Sequence, residues 1–447
     1  MTSLEPVTPA PRVLLVSYYY PPSGGSGVQR ALKMSRYLPD FGWDVTVLTV
    51  DPAHAAYPDV DPSMLADVPA GVAVERTRAW DPYAAYARLL GKPKADAVGV
   101  GFANAGGAAS GKERLARWLR ANVFLPDARV GWVPYALRRA RALHAAHPFD
   151  VVLTTAPPMS LHLIGLRFAS ATGVPWVADF RDPWTDVYFL RDLPRTSLAV
   201  GLDRALEAAV LRRATRAVAV SASLARLLGG KVGRAVDVIP NGFDEADFPD
   251  SVPAPRPEAF TLAYVGNFLG QQDPAALWRA LARLRASGDL PALRLRLVGN
   301  VDPAVAASID AHRLGPVTER VPYVPHADAV AEMRAASVLL LAINRVEGAE
   351  AIVTGKLFEY VASGRPVLGV GPARGDAAAF LRETGAGELF DWDDEAGIEA
   401  FVRKHAAAWA AGTPLSGATP EAARPLTRRD QARKMGDVLR AAMGAPS

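Results

Sequence analysis

The chain has 447 residues, half of them hydrophobic and 21% charged, with a formal net charge of +4 and no cysteine. That composition excludes a disordered chain, a disulfide scaffold and thiolate chemistry, and at ~150 residues per domain the length asks for two or three domains. The longest apolar runs, such as "ASVLLLAI" at 336–343, are strand-sized, so no membrane-spanning helix of ~20 residues is expected. "MTSLEPVTPAPR" lacks the basic-then-apolar pattern of a signal peptide, and the arginines are scattered, so neither export nor nucleic-acid binding is expected.

After a tail, 1–11, expected to be disordered, "RVLLVS" at 12–17 reads as a buried strand. The glycine-rich "SYYYPPSGGSGVQR" at 17–30 then leads into a helical pattern, "ALKMSRYLPDFGW". Further strands are expected at 44–50, 150–155, 175–180, 217–221 and 235–240. The small-residue stretch 96–112 reads as a mobile loop. Next, "GKERLARWLRANVF" at 111–124 puts Leu115, Trp118, Leu119 and Val123 on one helical stripe, with Lys112, Arg114, Arg117 and Arg120 elsewhere around it. Such a helix either docks on anionic lipid or packs its stripe on its own core. The four prolines of 248–260 mark a linker, after which strands recur at 261–266, 293–299, 337–343 and 365–371. The last helix is expected at 427–442, with Thr427 as N-cap and Asp430 in the capping-box position. Apolar strands with little alternation suit parallel sheets covered on both faces. The expected class is therefore α/β, with two doubly wound domains at 12–247 (completed by the last helix) and 261–426. In such sheets ligands bind outside the carboxyl ends of the strands, and two facing domains would place those ends on opposite walls of a cleft.

The opening glycine loop sits in that position. As a dinucleotide fingerprint it fails, because Gly25 and Gly27 are followed by Arg30 in place of a third glycine, although Asp51 lies where a ribose-binding acid would. A turn that only permits close helix–strand packing stays open. In "NRVEGAEAIVTGKLFEYVASGRPVLGVG" at 344–371, a strand end, a loop with Glu347 and Glu350, and a helix start at Gly355 coincide. Lys356 would then lie in the first turn, beside unpaired amides and the positive end of the helix dipole, which suits a diphosphate. Glu359 shares its face ~5 Å along the axis, roughly the step from a diphosphate to its ribose. A surface Lys–Glu pair is the plainer alternative. The acidic runs Asp59–Asp61 and Asp391–Asp394 read as solvated loops rather than metal ligands. His162 and His326 read as structural, with His326 also placed to reach a nucleotide base.

These motifs resemble the retaining nucleotide-sugar glycosyltransferases of family 4, which have the GT-B fold of two Rossmann-like domains facing across a cleft. The resemblance runs from about Arg12 to Ala442. It rests on "PPSGGSGVQRALKMSRYL", "IPNGFD" (239–244), "AYVGNF" (263–268) and "TGKLFEYVASGRPVL" (354–368). A subgroup is also matched by "LPDARVGWVPYAL" (125–137), "TTAPPMSLHLIG" (154–165) and "ADFRDPW" (178–184). It implies a cytoplasmic, hexosyltransferase-type enzyme of polysaccharide or glycoconjugate synthesis, working without a metal or other cofactor. Its partners would be a nucleotide-sugar donor and a hydroxyl acceptor that is soluble or membrane-linked, on the inner face of the membrane.

Carried over by position, Glu359 is the ribose-binding glutamate and Lys356 a phosphate contact. Gly24, Gly25 and Gly27 approach the donor, with Asn267, Glu350, Thr354 and Gly355 as further donor contacts. Asp182 or Asp179 would orient the acceptor hydroxyl or the sugar, and Arg181 would add positive charge. The sequence departs from the family at three places. Ala351 occupies the first glutamate position of the E-x7-E pattern. Gln271, Gln272 and Asp273 stand where a basic pair is usual. Arg181 replaces a histidine and cannot act as a base. An internal Arg–Asp pair is the structural alternative for "DFRDPW". A catalytically inactive sugar-nucleotide-binding homologue and a sugar-nucleotide epimerase are the competing functions.

Overall fold

The structure is a computed structural model in which residues 9–80, 111–248, 257–290 and 292–444 are described. Most of the expected disordered tail (1–11), mobile loop (96–112) and linker (248–260) lies outside the described residues, while Gly111 and Lys112 open a helix. The chain divides into two compact units, 1–240 with 431–447, and 241–430.

The first unit is built on a seven-stranded sheet in the order β3-β2-β1-β4-β5-β6-β7. Its strands are β1 (Arg12–Val16), β2 (Asp44–Val50), β3 (Ala73–Thr77), β4 (Val151–Ala156), β5 (Trp176–Phe180), β6 (Arg216–Ala219) and β7 (Asp237–Val238). The second unit has a six-stranded sheet in the order β10-β9-β8-β11-β12-β13. These are β8 (Phe260–Val265), β9 (Leu293–Val298), β10 (Thr318–Val321), β11 (Val338–Ala342), β12 (Val367–Val370) and β13 (Gly387–Phe390). Every strand pairing in both sheets is parallel. In each sheet the order reverses direction near the middle, which is the doubly wound arrangement.

The central strands β4, β8 and β11 are buried along their whole length, as their Val/Leu/Ile content requires when helices cover both faces. The strands without a sequence signal, "AVERT", "TERV" and "GELF", are short and polar, and all three lie at sheet edges. An edge strand has one neighbour and partial cover, so its residues carry no continuous apolar run.

The closing helix Arg428–Met443 begins as its cap predicts, with the Thr427 hydroxyl accepting from the Asp430 amide at 3.2 Å. From Gln431 onward it belongs to the first unit, burying Ala432, Met435, Leu439 and Ala442 against Val13, Leu15, Val28 and Trp43. A side chain at Gly436 would stand 2.8 Å from Trp43 Nε1, so only glycine lets the helix seat on that ring.

Candidate functional site

In the second unit the carboxyl ends of β8 and β9 continue into two "VGN" turns, 265–267 and 298–300. Gly266 N–H donates to Val298 O at 2.7 Å and Phe268 N–H to Asn300 O at 2.8 Å, so the ladder runs past the sheet edge. Gly266 has φ +115°, and a Cβ there would lie 2.5 Å from the Lys356 Cε. The glycine thus supplies both the left-handed backbone and the space that the lysine fills.

Lys356 is the second residue of the helix Gly355–Ala362, which starts after Thr354 with no side-chain cap. Its ammonium reaches across the turn to donate to the Tyr264 hydroxyl and, at 2.9 Å, to Asn267 O. The same nitrogen lies 4.0 Å from the Tyr264 ring centroid, and Tyr264 in turn stacks on Phe268 with centroids 3.8 Å apart. Burial lowers the Lys356 pKa to about 7, against the opposing pull of Glu359. The Thr354 hydroxyl is buried and unpartnered; the Leu357 amide donates to Thr354 O at 3.2 Å, which leaves the Gly355 and Lys356 amides as the orphan donors of this uncapped start. A desolvated cation beside orphan amides is suited to an anion that replaces lost water.

Glu359 lies one turn further along. Its carboxylate makes no hydrogen bond among the described residues, and burial raises its pKa. His326 and Arg428 pull that pKa down, Asp247 pushes it up, and Lys356 pulls down least. His326 opens the helix His326–Ala335, and its Nε2 lies 3.2 Å from Asp247 Oδ2. The cluster around Glu359 therefore includes Asp247 and Arg428, which the sequence motifs did not single out. Both come from segments far from "GKLFEY" in the chain, so no local pattern could find them.

Gln272, where a basic residue is usual, is a bracket instead. Its Oε1 accepts from Leu269 N–H and lies within 3.0 Å of the Tyr264 hydroxyl, while its amide donates to Asn344 Oδ1 at 2.8 Å. Asp273 takes the Trp278 indole N–H at 2.7 Å. Gln271 O accepts Arg345 N–H at 2.9 Å, which brings an arginine missed in the sequence to this turn. Arg345 is exposed and pairs with Asp393 at 2.6 Å. Glu350 is also exposed; its side chain joins none of these groups, and its backbone packs on Gly375 before the helix Asp376–Thr384.

The first unit treats its charges differently. Arg30 and Asp179 are each only 1% exposed and form a bidentate pair at 2.7 and 2.8 Å. Thr155 donates to the same carboxylate at 2.7 Å, and Arg30 also donates to Ile239 O and Pro240 O. These bonds, with Arg30, hold the Asp179 pKa down despite burial. Asp179 therefore has no access to a substrate, which corrects its placement as a candidate for orienting one. The residue that breaks the glycine fingerprint, Arg30, is its partner. The Arg–Asp pair expected inside "DFRDPW" is formed instead with this distant arginine.

Arg181 is likewise engaged, donating to Ala156 O, Pro157 O and, at 2.5 Å, Gly27 O. It ties the end of β4 to the first turn of the helix Ser26–Tyr37. Asp182 differs from both neighbours: its side chain opens to solvent and makes no hydrogen bond among the described residues. Desolvation by the surrounding protein raises its pKa even though the side chain reaches solvent, with Arg181 as the counterweight. The segment that carries it is anchored from behind, Trp184 donating to Asp203 at 2.7 Å and Thr185 to Glu207 at 2.6 Å.

Of the loop glycines, Gly25 is exposed with φ +82° at the helix start, and nothing within 4 Å would meet a Cβ. Gly24 is buried against Asp59, whose carbonyl accepts its N–H at 2.9 Å. Asp59–Asp61 is thus solvated at Asp59 and Val60, and its backbone also pairs with the glycine loop. Asp391 and Asp394 accept backbone N–H groups, of Ala373 and Gly397. His162 is fully buried, with Nδ1 2.8 Å from the Thr154 hydroxyl, and burial lowers its pKa to about 3. Among the described residues, no group of three or more His, Asp and Glu is arranged to hold a metal ion.

Residues 97–247 match the family model Glycosyltransferase Family 4, and residues 275–436 match the model Glycosyl transferase-like. No curated protein sequence matches the chain. Among solved structures, sucrose-phosphate synthase from Thermosynechococcus elongatus is similar at TM-score 0.62 and 17% identity, covering 98% of this chain and 100% of that one. A glycosyltransferase from Rickettsia africae ESF-5 is similar at TM-score 0.61 and 11% identity, covering 98% and 99%. Anabaena HepE, solved in complex with UDP and glucose, is similar at TM-score 0.53 and 13% identity, covering 96% and 99%. At these identities the structures bear on the fold, while the two family models bear on the activity. With glycosyltransferase models matched in both halves and a pair of Rossmann-like sheets, the chain is a glycosyltransferase of the GT-B type.

Proposed function

We propose that the second unit binds a nucleoside-diphosphate sugar and that the protein transfers the sugar, with retention, to a hydroxyl acceptor in polysaccharide or glycoconjugate synthesis on the cytoplasmic side. The observation that carries this reading is the pairing of a desolvated Lys356 with an unpaired Glu359 one turn away on an uncapped helix. Lys356 and the first-turn amides take the diphosphate charge, and Glu359 accepts hydrogen bonds from the ribose hydroxyls. In the reaction the bond from the anomeric carbon to the diphosphate oxygen breaks, and the leaving group keeps the electron pair. The acceptor oxygen bonds to that carbon on the same face, and its proton passes to the leaving diphosphate. Positive charge fixed at the diphosphate lowers the barrier electrostatically, without any metal in this reading.

In the first unit, Asp182 is the candidate for orienting the acceptor hydroxyl. It is unpaired and open, and its carboxylate can accept a hydrogen bond from the acceptor hydroxyl and so orient it, while the proton goes to the diphosphate.

Titration with UDP-, GDP- and ADP-sugars, each in EDTA, followed by product analysis for anomeric configuration, tests the proposal. Binding of one class with retained configuration is the expected outcome. Donor binding without transfer or hydrolysis would make the protein a binding homologue, and no binding would remove Lys356 and Glu359 from the donor site.

A further inference from the structure

The stripe expected on the helix Gly111–Asn122 does not pack on the protein's own core. Leu115 is 57% exposed, Trp118 42% and Val123, just past the helix end, 56%, with Leu119 also exposed. A second apolar pair stands beside it. Leu198 and Leu202, one turn apart near the start of the helix Ser197–Arg213, are 73% and 50% exposed. Asn122 joins the two elements: its side-chain amide donates to Pro194 O at 2.8 Å, and its Oδ1 accepts from Thr196 N–H at 2.6 Å. Thr196 is the N-cap of the second helix, so the clamp ties the end of the first helix to the start of the one that exposes Leu198 and Leu202.

Arginines flank this surface. Arg114 and Arg117 are exposed on the first helix, and Arg191 and Arg204 on the segment that presents Leu198 and Leu202. In sequence, 111–124 carries Lys112, Arg114, Arg117 and Arg120 against Glu113 alone, a net +3 beside the +4 of the whole chain. The segment that exposes its apolar side chains is thus itself net positive. An aromatic and leucine-rich face bordered by arginines has the chemistry of a membrane-interface element, with apolar side chains entering the headgroup boundary and guanidinium groups meeting lipid phosphates. A soluble protein partner would supply apolar cover but has no need of this charge bias.

We infer that this composite face, the helix Gly111–Asn122 together with Leu198 and Leu202, docks the first unit on an anionic lipid surface. The inference does not depend on the proposed donor site, since none of these residues belongs to it. Flotation of the full chain with phosphatidylglycerol-containing vesicles, against pure phosphatidylcholine vesicles, is the test. Binding is expected only to the anionic vesicles and only at low salt. Arg114→Gln and Arg117→Gln should each weaken it about fivefold, and Trp118→Glu with Leu198→Glu should abolish it while leaving nucleotide-sugar binding intact. Absence of salt-sensitive flotation by the unaltered chain overturns the proposal, whatever the variants do. So does a dimer in sedimentation that the Trp118→Glu, Leu198→Glu variant dissociates, which would make the face an interface between copies of the chain.

Discussion

The "DFRDPW" segment of the first unit and the "TGKLFEY" helix of the second both gather charge at the carboxyl ends of parallel strands, yet they handle it in opposite ways. In the first, Arg30, Asp179 and Arg181 satisfy one another or backbone carbonyls, and only Asp182 remains unpaired. In the second, Lys356 is desolvated with its pKa near 7 and meets only neutral groups, the Tyr264 hydroxyl and Asn267 O, while Glu359 has no hydrogen-bond partner among the described residues. A charged motif in a sequence marks a place where charge is concentrated. Whether that charge serves architecture or a ligand depends on how much of its bonding capacity the chain itself consumes.

The comparison breaks most sharply at the buried pair. Asp179→Ala strands the Arg30 guanidinium in the core, so we expect a loss of ~3–5 kcal/mol of stability, read by urea unfolding. Undiminished stability would mean that the pair is not structural. Asp182→Asn should do the reverse, leaving stability and donor affinity intact while lowering turnover at least ~100-fold. If turnover were normal, the first unit would have lost its candidate for orienting the acceptor.

Glu359→Gln should weaken nucleoside-diphosphate-sugar binding ~10- to 100-fold, the worth of hydrogen bonds to a charged group, with little change in stability; calorimetry reads both. The pH dependence is subtler. Below pH 7 Lys356 is charged and can hold an anion; above it the free lysine is neutral, and binding a diphosphate must draw in a proton. Affinity should therefore fall as pH rises above about 7, with proton uptake visible as a buffer-dependent binding enthalpy, and Lys356→Met should flatten the slope. The same burial penalises the charged lysine in the folded state, so this residue's contribution to stability grows as pH rises from 7 toward 10.5. Smallest is Gly25→Ala, which forces a side chain into the essentially glycine-only region at φ +82°, ψ 172° at a cost of ~1–3 kcal/mol without a clash. Its readout is turnover, and unaltered turnover would leave the loop a packing device.

Much of the architecture was legible because it is written locally. Apolar runs such as "VVLTTA" and "VLLLA" are strands for the same reason that they are buried. Thr427 caps its helix through a partner three residues away. The helix start at Gly355 follows from its glycine, the strand before it and the amphipathic pattern after it. The edge strands β3, β10 and β13 escaped, since half-covered strands need no apolar run.

The sequence by itself thus determined two parallel α/β domains, their central strands, and the coincidence of helix start, lysine and carboxylate. Tertiary structure alone decided which charges are spent. Arg30 meets Asp179 across 149 residues of chain, and Lys356 meets Asn267 across 89. Gly266 yields its side-chain space to a lysine from another element, and Asp182 is left open while a carboxylate three residues earlier is sealed. The physical reason is that solvation and pairing energies depend on what else arrives at a point in space, and no local pattern records that.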